Sequence, residues 1–383
     1  MISAAEFAAY NREVAGIGDR AASDVESSVL AWCRSHEDAT VAEKREAAKL
    51  IMEGFVQGYD DVAAEFAAQW YDHRAEQGGA RLEQAVTMTT YRPDSVDAVA
   101  RYQARKLAKG DDAAFAKACG EFARDDAFRS LNETIIANVG RDKDKGVRFA
   151  RVPTGFETCT FCLMLASRGA VYHTRKTAGE FKHFHRRCDC KVVPSFEDDA
   201  DAELVEGVRP KELRERYRAI KQIDSMEGLT DSDRQELAER ALRVEVESIA
   251  GKKLGSVKYV KSRDSLEGHE KAGIDNLLLN GFDIETVKED PHAPANLDIS
   301  MNGELWEMKN LTNRASSVSN QVKRARIKWF KLGLSSPSRC VFTNEGNEDG
   351  FDETCAALEK RRRPGEVFLA VSNRGVVRVL SDK

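Results

Sequence analysis

No stretch of this 383-residue sequence reaches the roughly 18 uncharged apolar residues that a membrane-crossing helix needs. The N-terminal "MISAAEFAAYNREVAGIGDRAASD" lacks a basic start followed by an apolar core, so no secretion signal is expected and the chain reads as cytosolic in origin. Internal repeats and low-complexity tracts are missing too, which argues against repeat architectures. A phosphate-cradling glycine loop is not evident, because "GIG" at 16–18 has no strand-turn-helix setting. No Ser/His/Asp triad is legible.

What is present describes a folding chain. Hydrophobic residues make up 42% and charged residues 32%, a balance of neither membrane nor disordered proteins. The length exceeds what one core usually organises, so two or three domains are expected. Charge is uneven: residues 251–383 carry 22 Lys+Arg against 19 Asp+Glu, a net +3, leaving −8 for residues 1–250. That asymmetry favours nucleic acid as a partner of the C-terminal part alone.

From residue 20 to about 140 the chain is rich in Ala, Glu, Arg and Gln. Apolar residues recur at helical spacing in Leu50, Ile51, Phe55, Tyr59, Val62, Phe66 and Trp70, which predicts a helical domain with these aromatics in its core. The segment 150–196 holds Gly, Pro, His and Cys and predicts a small irregular module with short strands. Residues 197–250 read as a helical connector, with a capping box at Ser232 and Gln235 opening its second helix. Past Gly251–Gly255, helix and strand signals alternate across 251–383. The expected fold class is a multidomain α+β protein: a helical N-terminal domain with a small Cys/His module, a connector and a C-terminal α/β domain.

Four of the eight cysteines, Cys159, Cys162, Cys188 and Cys190, fall in one short region, which in a chain without a secretion signal points to metal before disulfide. Cys159, Cys162, His185 and Cys190 make a plausible structural zinc set, with Cys188 as the rival fourth ligand. The alternative is a group of thiols without metal, or a disulfide formed outside the cell.

In the C-terminal part, "NLDISMNGELWEMKN" places Asn302-Gly303 between two alternating segments, the pattern of a two-residue type I′ hairpin. That register sets Leu297, Ile299, Trp306 and Met308 on an apolar face. Asp298 and Glu307 then lie opposite each other on the other face, with Lys309 beside them. Like charges paired across strands repel, and a bridging Mg²⁺ or Mn²⁺ would offset that; the alternative is a solvated strand face. Upstream, Ile274, Leu277 and Leu278 form the buried stripe of a helix that also carries Glu270. Downstream, Val322, Ala325, Trp329 and Leu332 mark one helix face. Lys323, Arg324, Lys328 and Lys331 give the helix a basic character, which either tracks a phosphate backbone or is solvated.

The order of Glu270, Asp298, "EMK" at 307–309 and a helix with Gln321 resembles the PD-(D/E)xK nuclease superfamily over roughly 255–383. Within it, the segment looks like C-terminal toxin domains of contact-dependent growth inhibition proteins, several of which cleave transfer RNA. The resemblance implies a catalytic Mg²⁺ or Mn²⁺ on Asp298 and Glu307, Lys309 as catalytic lysine and Glu270 as the helix carboxylate, with Glu267 its rival. "ANL" stands where the superfamily often has Pro before the Asp. Residues 1–196, through "CTFC" and "HFHRRCDCKVVPSF", resemble the Mu F-like minor head proteins of tailed phages. Together the resemblances imply a phage minor head protein, in the capsid interior and then the host cytoplasm. It would contact portal and capsid proteins and carry a metal-dependent endonuclease effector, an RNase acting on transfer RNA, with an immunity protein as a possible partner. The alternatives are a purely structural capsid protein whose C-terminal domain binds nucleic acid or portal, and a DNA endonuclease.

Overall fold

A computed structural model describes residues 1–154, 160–178, 190–260, 262–311, 315–334, 338–344 and 350–382. The chain forms two units, Met1–Leu213 and Arg214–Lys383.

The first unit is built on long helices with side-chain caps at their starts. Ser3 opens α1 (Ala4–Ser35), and the reciprocal Thr40/Glu43 capping box opens α2 (Val41–Gln77). Proline at its first position starts α3 (Pro93–Leu107), and Asp111 caps α4 (Asp112–Asp142). Helices α1 and α4 approach closely because Gly120 has no side chain: a Cβ there would lie 2.5 Å from the Ala22 carbonyl oxygen. Between α2 and α3 the chain runs extended along α4. Its amides at Val86, Met88 and Thr90 donate to Asn138, Thr134 and Ser130, which recur every four residues on one face of the helix.

The core face of α2 keeps the expected Trp70 but otherwise differs from the expected one. Met52, Val56, Asp60, Ala63, Ala67 and Tyr71 point inward, whereas Leu50 and Val62 are 61% and 51% exposed. Closely crossing helices leave room for alanine at the contact, so the bulkier Phe55, Tyr59 and Phe66 flank it half-buried. The inward Asp60 lies near Asp126 of α4. Burial, then the Asp126 charge, pushes the Asp60 carboxyl up to about 8, and burial raises Asp126 as well. A carboxyl whose folded pKa is raised gives stability that is full below the unfolded value near pH 4 and is lost as pH rises through about 8. Asp60→Asn is therefore expected to match the parent in thermal melts at low pH and to exceed it at about pH 9 by on the order of a few kcal/mol. Equal pH dependence in the two proteins would contradict this.

The Cys/His module contributes an antiparallel pair, β1 (Arg148–Val152) and β2 (Lys191–Ser195), with the short α5 (Thr160–Ala166). Phe149, Tyr172, Val192 and Val193 join the core formed by Tyr71, Leu131 and Ile135.

The expected connector is largely part of the second unit, whose boundary lies at Leu213 and not near Gly251. The boundary falls within the first turn of helix α6 (Pro210–Asp224), and α7 (Asp231–Ala241) follows. The capping box of α7 closes at Thr230 and Asp233, two residues ahead of Ser232 and Gln235. Arg263, buried, binds Asp233 and Glu236 of α7 on one side and Asp275 on the other.

The sheet of this unit is ordered β3 (Val257–Lys258), β4 (Ile284–Thr286), β5 (Ile299–Met301), β6 (Glu304–Leu311), β7 (Arg339–Asn344), β8 (Val367–Ser372) and β9 (Val377–Leu380). Pairing is parallel for β3–β4, β6–β7 and β7–β8 and antiparallel elsewhere. Helix α8 (Gly268–Leu279) buries Ile274, Leu277 and Leu278, and its Gly273 rests on Met308 and Thr343. The opposite face, with Leu311, Cys340, Phe342 and Phe368, packs on α9 (Ala315–Lys331) through Val318, Val322 and Ala325 and on α10 (Phe351–Glu359) through Phe351 and Leu358.

Candidate functional site

The β5–β6 hairpin turns at Asn302 and Gly303, both at positive φ (52° and 79°), as a type I′ turn requires. The observed pairs are Met301 with Glu304, Ser300 with Leu305 and Ile299 with Trp306. One step further the ladder slips. The Asp298 amide, which in a regular ladder would point away from β6 on the side of its own carbonyl, donates to the Trp306 carbonyl at 3.1 Å. The slip leaves the Met308 amide pointing at Asp298, whose Oδ2 accepts it at 2.6 Å. Trp306, Glu307 and Met308 are buried in succession because β6 is covered on both faces, by α8 at Met308 and by α9 at Glu307.

Glu307 is fully buried, and two ammonium groups meet it. Lys309 Nζ donates to Oε1 and to the Met308 carbonyl, while Lys328 Nζ lies 2.7 Å from Oε1 and 2.8 Å from Oε2. The same Lys328 ammonium stands 3.6 Å from Asp298 Oδ1. Burial, then the Asp298 charge, pushes the Glu307 carboxyl up to about 7, against the pull of both lysines. Burial alone would lower Lys328, but its bond to Glu307 and the Asp298 charge outweigh that and raise it. Glu307 pairs with Cys340 of β7, whose thiol is driven up by burial first and by this carboxylate second.

The cluster borders a cavity of about 540 Å³. Lys309 and Lys328 reach it from the cluster, Gln321, Arg324 and Ile327 from α9, and Glu267 and His269 from the start of α8. Glu270 is otherwise engaged: its carboxylate accepts the Glu267 amide at 2.9 Å and caps α8, and Glu267 is the acid that lines the cavity. His269, which lacks any motif in the sequence, stands 3.3 Å from Glu267.

The basic residues of α9 divide. Lys323, Arg324 and Lys331 are exposed, whereas Lys328 turns inward to the carboxylates and leaves the basic outer face. Its position three residues after the buried Ala325 and one before the buried Trp329 was the available signal.

The donor set suits a hard divalent cation. Asp298 and Glu307 offer carboxylate oxygens beside one another, and among the described residues the cations in contact with them are the Lys309 and Lys328 ammoniums. Among the described residues no group of three or more His, Cys, Asp or Glu side chains is arranged to hold a metal. Of the zinc set, Cys159, His185 and Cys188 lie outside the described residues. Cys162 and Cys190 are brought together, their sulfurs 3.1 Å apart, with Arg151 Nη2 donating to Cys190 at 2.6 Å.

Among the described residues no helix is long and apolar enough to cross a membrane. No curated protein and no solved structure matches the sequence. The sequence does match the phage-related VG15 protein family over residues 1–220, which takes in α1 to α5, the β1–β2 pair and most of α6. That match spans more than half of the chain, which therefore belongs to the VG15 protein family.

Proposed function

We propose that this VG15 protein is a phage head-associated protein whose second unit is a metal-dependent endonuclease of the PD-(D/E)xK type. The observation that carries the reading is the joining of Asp298, Glu307 and Lys309 on one hairpin beside a cavity, between a preceding α8 and a following α9. Asp298 and Glu307 would hold Mg²⁺ or Mn²⁺, which supplies a Lewis acid and lowers the pKa of a bound water. Lys309, at the cavity wall, positions the attacking water and neutralises charge developing on phosphorus. Glu267 fits the role of helix carboxylate better than Glu270, because it faces the cavity. Exposed Lys323, Arg324 and Lys331 suit a phosphate backbone, and transfer RNA is the substrate the toxin resemblance favours. Relation to Mu F-like head proteins, portal contacts, an immunity partner, a capsid-interior location and a zinc-bound Cys/His module belong to the same proposal.

Expression of the full chain in bacteria tests it. Growth arrest with fragmented transfer RNA is expected for the parent and neither effect for Lys309→Ala. A second reading, a structural capsid component with a non-catalytic C-terminal unit, is favoured by one feature: the lysines already neutralise both carboxylates. Unaffected growth and intact nucleic acid with both proteins would select it, and cleavage of DNA but not RNA would select a DNA endonuclease.

A further inference from the structure

The inward turn of Lys328 has no counterpart in the motif that suggested a nuclease, and its geometry bears on how a cation reaches the site. Three positions define it. Asp298 is fixed by the Met308 amide through Oδ2, independently of any lysine. Glu307 is held by Lys309 through Oε1. Lys328 contacts both oxygens of Glu307 and approaches the remaining Asp298 oxygen, so its ammonium spans the two carboxylates. Glu307 itself is 0% exposed, whereas the Lys328 side chain is 33% exposed and lines the cavity with Gln321 and Arg324. The ammonium therefore has somewhere to go.

Resting on the nuclease reading, we propose that Lys328 is a built-in counter-ion of the Asp298 and Glu307 pair, and that a divalent cation binds there by displacing its ammonium into the cavity. The physical reason is charge. A divalent ion and an ammonium within a few ångströms of the same two carboxylates repel strongly in a partly buried site. Each therefore weakens the other's hold. Displacement leaves Asp298 and Glu307 placed by Met308 and Lys309, and it sends a positive charge to the wall where Arg324 already stands. A phosphate in the cavity would attract the released ammonium. Metal and polyanion would then bind cooperatively, each favouring the arrangement the other needs. Such a site stays closed as an internal ion pair until nucleic acid and metal are both present.

Calorimetric titration of the full chain with Mn²⁺ at about pH 8 tests this without any activity readout. The proteins to compare are the parent, Lys328→Met, Lys328→Arg and Asp298→Asn, each first checked for a parental melting curve. Lys328→Met is expected to bind Mn²⁺ about tenfold more tightly or better. Lys328→Arg should stay near the parent, and Asp298→Asn should lose the site. Should the methionine variant unfold, Lys328→Gln carries the same comparison. Binding by the uncharged variant that equals or falls below the parent's, with Asp298→Asn still abolishing parental binding, overturns the displacement and leaves the nuclease reading standing. Mn²⁺ binding that Asp298→Asn does not affect in any protein overturns both.

Discussion

Asp298→Asn is expected, on the proposed nuclease function, to lower turnover by about a hundredfold to a thousandfold with little change in melting temperature. The size of the loss follows from the site's charge, because the substitution removes one of two carboxylates available to a cation. The small effect on stability follows from the hydrogen bond at Oδ2: a carboxamide oxygen accepts the Met308 amide as the carboxylate does. Asp298 is also the less buried of the two acids, so its neutralisation leaves no orphaned partner in the core; Lys328 keeps Glu307 at 2.7 Å. Turnover of Asp298→Asn within a few-fold of the parent on a transfer RNA substrate would remove the acid from the mechanism.

The largest stability effect is expected at Arg263→Ala, a loss of about 3–5 kcal/mol in the second unit. Its guanidinium grips Asp275 through two bonds of 2.7 and 2.9 Å, donates to the Tyr259 hydroxyl at 2.8 Å, and meets Glu236 at 3.1 Å and Asp233 at 3.3 Å. Removing it strands Asp275, which is 3% exposed, with Arg240 at 3.5 Å as the remaining cation among the described residues. The planar fork makes Arg263→Lys a poor substitute, so that variant should recover less than half of the loss. Urea unfolding measures both. A change below about 1 kcal/mol would mean that α7 and α8 are joined by something other than this network.

Much of the hairpin was legible because its cause is local. Only residues tolerant of positive φ fit a type I′ turn, so Asn302-Gly303 fixed the register as far as Ile299 and Trp306. The stripe of α8 was legible for a similar reason, since Ile274, Leu277 and Leu278 have one helical phase that buries all three. The slip at Asp298 was not, because a bulge changes hydrogen bonding without changing composition. Nor was the core face of α2: its bulky residues suggested one phase, while the tight crossing required alanines and admitted Asp60. Residues 214–250 looked like a connector because their charge density is high. Their anchors to the second unit are polar and distant in sequence, such as Arg263 on Glu236 and the Glu245 amide on the Arg374 carbonyl. Lys328 was assigned to a solvated or nucleic-acid face because lysine is seldom inward. The Glu307 carboxylate on β6 and the Asp298 carboxylate just before β5 make its inward turn favourable.

The central claim is that Asp298 and Glu307 form a divalent-cation site. A crystal structure of the full chain grown with Mn²⁺ tests it most directly, through anomalous scattering at the metal edge. The account predicts a peak bonded to oxygens of both carboxylates, with the Lys328 ammonium withdrawn towards Arg324. Well-ordered carboxylates with no peak between them, still gripped by Lys328 and Lys309, would contradict it.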